Sequence, residues 1–91
     1  MMTSDARVAW QLADAASPCL VGHERTMIFV QLGCGENHLA AERMLAVVVR
    51  ERFPLPVAML TTLTRWLDLY VGSGEERRLR ALLARVRRHA T

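Results

Sequence analysis

Lysine is absent from this chain; all twelve basic side chains are arginine. Without a side-chain amine there is no Schiff-base catalysis and no anchor for pyridoxal phosphate. A phosphate-binding loop ending in Gly-Lys-Ser/Thr is excluded by the same gap. Aromatic residues are few: two Trp, two Phe and one Tyr. Two cysteines are too few for the disulfide scaffold of a small secreted domain, so free thiols are expected. Long hydrophobic runs are missing as well. The longest, Met44 to Val49, falls far short of the roughly 18–20 residues that cross a bilayer. The start of the chain, Met1 to Arg7, carries no charged leader followed by an apolar stretch and a small-residue cleavage site. A cytoplasmic location without a membrane partner is the expectation, and no cofactor is implied.

Apolar residues, by contrast, are in surplus. Alanine, valine, isoleucine, leucine, methionine, phenylalanine, tryptophan, cysteine and glycine supply 51 of 91 residues, about 56%, against roughly 45–50% in ordinary domains. Ninety-one residues make one domain, spanning 1–91. A domain of this size buries only roughly 60–65% of its unfolded surface. The surplus therefore predicts self-association, with a homodimer as its simplest form.

Hydrophobic spacing predicts the elements. Residues 5–16 form a helix, with Val8, Leu12 and Ala15 on one side, Trp10 beside them and Ser4 or Asp5 as N-cap. Pro18 stops it. Cys19–Val21 and Thr26–Leu32 read as two strands joined by a turn at 22–25. The second strand is apolar on both faces, and a lone two-stranded hairpin is marginal in water. Strands from another copy are expected to complete the sheet.

Gly33 and Gly35 end that strand, and Gly35 or Asn37 caps a helix to about Arg52. Its middle, Met44–Val49, is apolar all round, the mark of a central buried helix. Pro54 ends it and Pro56 suits the first turn of the next helix, Val57 to Val71. That helix has two apolar stripes: Leu60, Leu63, Leu67 and Val71, then Met59, Trp66 and Tyr70. One stripe can face the core, which leaves the second for a partner. After Gly72-Ser73-Gly74, a last helix over 75–89 buries Leu79, Leu82, Leu83 and Val86.

Three constellations carry chemical potential. Val30-Gln31-Leu32-Gly33-Cys34-Gly35 resembles the first motif of S-adenosylmethionine-dependent methyltransferases, where a strand ends in Leu-Gly-Cys-Gly. The resemblance covers about eight residues. It departs at Gln31 and Asn37, and the family's sheet does not fit in the rest of the chain, so a plain glycine turn is the reading taken. Cys19, His23, Cys34 and His38 form two Cys-x3-His pairs, the residue types of a zinc site. Cys34 alone, near a helix start with His38 one turn on, has the setting of a thiol nucleophile.

The last constellation is charge. Residues 75–91 hold six Arg and two Glu, whereas the remainder is slightly acidic. Acids at a helix start and arginines at its end also suit the helix dipole.

The fold class expected is α+β and mostly helical: an N-terminal helix, a β-hairpin completed by dimerisation, then three helices. The function expected is a non-catalytic interaction module that buries Met59, Trp66 and Tyr70 against a protein partner. The alternative is a dimeric nucleic-acid-binding regulator that sets Arg77, Arg78, Arg85, Arg87 and Arg88 on phosphates. A thiol- or zinc-dependent enzyme built on Cys19, His23, Cys34 and His38 comes third.

Overall fold

Helix formers and glycine stops dominate the local signals, and the computed structural model is helical throughout. It describes residues 4–89, with the side chains of Arg88 and His89 outside the description. The elements are α1 (Ser4–Ala16), a 3-10 turn (Ser17–Cys19), α2 (Gly22–Gly33), α3 (Asn37–Glu51), α4 (Val57–Asp68) and α5 (Gly74–His89). No strand occurs among the described residues.

The expected hairpin is therefore absent, and with it the α+β class and the sheet completed by dimerisation. Residues 26–32 lie inside α2. Their apolar run is compatible with a buried strand or a helix, and periodicity alone does not separate the two. The helix wins because it pairs most of its backbone groups within its own segment and closes its end with a cap, while a strand here would have no neighbours. Ile28 and Leu32, four apart, become the buried face of α2. Both glycines of the methyltransferase-like run belong to the end of this helix. Gly35, at φ 79°, sits just past it; its N–H donates to the Leu32 carbonyl (3.1 Å), and the Glu36 N–H donates to that of Gln31 (2.9 Å). This paired pattern is a Schellman cap, for which glycine is favoured because it has no Cβ to clash.

The same cap closes α3 on a less usual residue. Arg52 takes the left-handed conformation at φ 52°, its N–H donates to Val49 O, and the Phe53 N–H donates to Val48 O. Pro54 and Pro56 then prevent continuation, and α4 starts with Pro56 as its N-cap. Ser73 starts α5 by accepting the Glu76 N–H on its hydroxyl at 3.0 Å.

Helix α3 is the hub: α1, α2 and α5 pack on it, and α4 bridges α1 and α5. Met44, Leu45, Val47, Val48 and Val49 are all buried, as the all-apolar middle of α3 requires. Both apolar stripes of α4 are also used inside the chain. Leu60, Leu63 and Leu67 face the core, and Met59 and Trp66 are covered too, leaving only Val71 of the named residues exposed. The second stripe needs no partner because α1 and α5 occupy different sides of α4. Two dozen apolar residues share one core. The radius of gyration, 12.0 Å, equals the roughly 12 Å expected of a single domain this long. No helix among the described residues is long and apolar enough to cross a membrane.

Candidate functional site

Two places collect polar or aromatic groups in ways that simple packing does not demand. One joins four elements. Asp5, in the first turn of α1, points its carboxylate toward α4 instead of capping its own helix. The Trp66 indole N–H donates to Asp5 Oδ1 at 2.9 Å, and the Tyr70 hydroxyl donates to the same oxygen. The other oxygen, Oδ2, lies 3.4 Å from His38 Nε2 at the start of α3. His38 Nδ1 lies 3.3 Å from a Glu75 carboxylate oxygen on α5, without the alignment of a hydrogen bond. The imidazole packs against Trp66 at 5.0 Å and meets Tyr70 edge-on at 4.8 Å, distances favourable for aromatic pairs.

Electrostatics follow from that geometry. Burial opposes ionisation of Asp5. The hydrogen bonds from Tyr70 and Trp66, with the nearby His38, outweigh it and hold the carboxyl below its ordinary 3.8. The Tyr70 hydroxyl is pushed up to about 12, first because its proton is bound by Asp5, then by burial and the carboxylates around it. This raised value stabilises the fold fully below the ordinary 10, and the contribution is lost as pH rises through about 12. Tyr70 is the only tyrosine, so an ultraviolet titration reads it alone. Its midpoint is expected near 12 in the folded protein and near 10 in denaturant or in Asp5→Ala. A folded-state midpoint near 10 would show that the Tyr70–Asp5 bond does not form in solution.

Chemically this cluster is a tie between helices. Asp5 already accepts both aromatic donors, Trp66 is almost wholly buried, and neither His38 nor Tyr70 lines the two grooves that flank α1.

The second place is the outer ridge of α1. Trp10 is 38% exposed there, against the Phe29 ring of α2 with centroids 5.8 Å apart. The Arg25 guanidinium lies over the Phe29 ring, 4.9 Å from its centroid. These side chains, with Arg7, Gln11 and Asp14, line a groove of about 500 Å³ between α1 and α2. A second groove of about 470 Å³ runs along the other flank, between α1 and α4, lined by Arg7, Arg65, Trp66 and Leu69 among others. Leu69 is largely exposed. Arg7 belongs to both grooves.

The residues singled out in the sequence fall differently. Met59 and Trp66 are buried in the chain's own core and Tyr70 is partly buried, so this stripe presents no continuous outer surface. The four Cys and His residues are not brought together. Cys19 lies close to Arg50 and Glu51 at the C-terminal end of α3, whereas His38 is in its first turn. Twelve residues of helix separate those ends by roughly 18 Å. His23 and Cys34 are exposed, and no group of three potential metal ligands occurs among the described residues. The ring of His38 faces carboxylates and aromatics of α1, α4 and α5, and burial pushes the Cys19 thiol up, away from reactivity.

Of the C-terminal arginines, Arg78 pairs with Glu42 at 3.5 Å. Arg87 donates to the Thr64 hydroxyl, while Arg77 and Arg85 are exposed without an ion pair among the described residues. The Arg88 side chain lies outside the described residues. The same helix gives Arg80 two acidic partners, Glu76 and Asp68.

Sequence reading missed Trp10 as a surface group and Asp5 as a partly buried partner. A signal existed for the first: Trp10 lies off the Val8–Leu12 face of α1. For Asp5 there was none, since its donors Trp66 and Tyr70 are more than 60 residues away. Compared with protein-family models, curated proteins and solved structures, the chain matches none.

Proposed function

We propose that this protein is a non-catalytic cytoplasmic interaction domain that docks a protein partner along the outer ridge of α1. One observation carries the reading: a partly exposed tryptophan lines a groove with Arg7 and Arg25, and Arg7 also borders the neighbouring groove that holds Arg65. Tryptophan and arginine are the side chains most enriched among interface residues that dominate binding energy. The first groove lets a partner's side chains pack beside Trp10 and exclude water from its exposed part. The docking face moves from the Met59, Trp66 and Tyr70 stripe to α1, because that stripe is occupied within the chain.

The expected homodimer drew on an unpaired hairpin and an apolar surplus. The hairpin is absent and the core absorbs most of the surplus, so a different protein is the partner proposed. A nucleic-acid role for the last helix has less support, since Arg78, Arg80 and Arg87 already have intramolecular partners.

A photo-cross-linking side chain placed at position 10 tests the docking face in cells. A discrete adduct is expected from position 10 and none from position 61, where exposed Thr61 lies on α4 away from both grooves. Equal adducts from both positions, or none from position 10, would sink the reading.

A further inference from the structure

The charges around this ridge identify the chemistry of what it holds. Arg7, Arg25 and Arg65 stand along the two grooves that flank α1. None of the three has an ion-pair partner among the described residues. Of the other arginines, Arg50, Arg78 and Arg80 each meet at least one carboxylate, while Arg77 and Arg85 on α5 are also without an ion pair among the described residues, so it is the gathering of three such arginines beside exposed apolar groups that marks these grooves. Asp14 is the one acid lining either groove. Three guanidiniums, from α1, α2 and α4, line the two grooves with one carboxylate, beside the apolar groups Trp10 and Phe29 in the first groove and Leu69 in the second.

Resting on the docking face proposed above, we infer that the partner is an acidic, amphipathic protein segment. Its carboxylates meet Arg7, Arg25 and Arg65, and a large apolar side chain lies against Trp10. Planar guanidinium forks bind carboxylates through two parallel hydrogen bonds, so such contacts set orientation as well as charge.

A second copy of this chain is a poor occupant. Seven of its nine acids already face a cation or His38: Asp5, Glu24, Glu42, Glu51, Asp68, Glu75 and Glu76. Only Asp14 and Glu36 remain, and Asp14 is part of the receiving groove. Nucleic acid fits less well than protein. Asp14 would face its phosphates, and Trp10 is tilted against Phe29 at 49° and less than half exposed, which offers bases no open stacking platform.

The test uses the full chain and fluorescently labelled synthetic peptides. A Glu/Leu amphipathic peptide is the probe, with Gln/Leu and Lys/Leu counterparts of the same pattern, an oligoglutamate and a short DNA duplex. The Glu/Leu peptide is expected to bind best, at least about tenfold more tightly than the Gln/Leu peptide, a difference of about 1.4 kcal/mol. Rising salt should weaken it. The double variant Arg7→Gln/Arg25→Gln should lose that preference while keeping the far-ultraviolet circular dichroism of the parent, and Trp10→Ala should weaken both peptides. All three side chains lie on the surface, so these variants fold.

Equal binding of the Glu/Leu and Gln/Leu peptides, with both lost in Trp10→Ala, overturns the acidic partner and leaves the docking face standing. Binding of DNA or oligoglutamate as tight as that of the Glu/Leu peptide, and indifferent to Trp10→Ala, overturns the inference in favour of a plain polyanion surface. No binding by any peptide overturns it too, and the cross-link from position 10 then decides separately whether the face is used.

Discussion

Asp5→Ala is expected to lower the unfolding free energy by about 3 kcal/mol, because one substitution strips the acceptor from two aromatic donors and the counter-charge from His38. The Trp66 N–H suffers most. It is buried, and nothing else among the described residues accepts from it. A domain of this length has roughly 5–13 kcal/mol in total, so the loss is a large share. The melting temperature should fall by on the order of 15 °C.

Asp5→Asn separates shape from charge. It retains an acceptor oxygen for the donors but not the charge beside His38, and it is expected to fall between parent and Asp5→Ala. Acid should act in the same direction. The Asp5 carboxyl is held below its ordinary value, so its contribution is present above about 3.8 and is lost as pH falls through the lower folded-state value. Asp5→Ala should lack that increment of acid sensitivity. Thermal melts across the acid range measure both effects. Asp5→Ala melting within two degrees of the parent would show that the cluster is not a tie between helices.

Leu45→Ala is expected to cost about 3–4 kcal/mol in chemical denaturation, the range for deleting a wholly buried leucine from a core that does not collapse. Leu39→Ala, two turns earlier on the same helix, is the comparison. Leu39 is half exposed, so its loss should be under about 1 kcal/mol. The contrast depends on α3 turning the Leu45 face toward its packed neighbours while Leu39, like Ala46, faces outward. Equal costs at the two positions would mean that α3 is not the enclosed hub.

Four of the five main helices were legible from pattern. The apolar arc of Leu79, Leu82, Leu83 and Val86, and the all-apolar middle of α3, each point to one geometry with one environment. Caps reinforced them, as Ser73 does for α5. The segment that became α2 was different. Met27–Leu32 is broken only by Gln31, so its period has little to contrast with. The glycines after it can end either a strand or a helix, and Gly35 closes the helix through the two hydrogen bonds of its cap.

The candidate surface shows the same division. That Met59, Trp66 and Tyr70 form a stripe is local information, following from a spacing of three to four residues along a helix. Whether the stripe is free is not local. It depends on α1, more than 40 residues earlier in the chain, laying Asp5 against Trp66 and Tyr70. Trp10 shows the converse, a single residue whose worth as a surface depends on Phe29, Arg25 and Arg65 gathering around α1.

The residues in order determined where four of the helices lie, that one of them must be central, and that lysine chemistry is closed to this protein. These follow from backbone preferences and side-chain inventory, which act over a few residues. Only the packed structure decided which apolar faces stay open and which arginines keep unanswered charge. Burial and ion pairing are properties of neighbours in space, and chain order does not specify those neighbours until the helices have met.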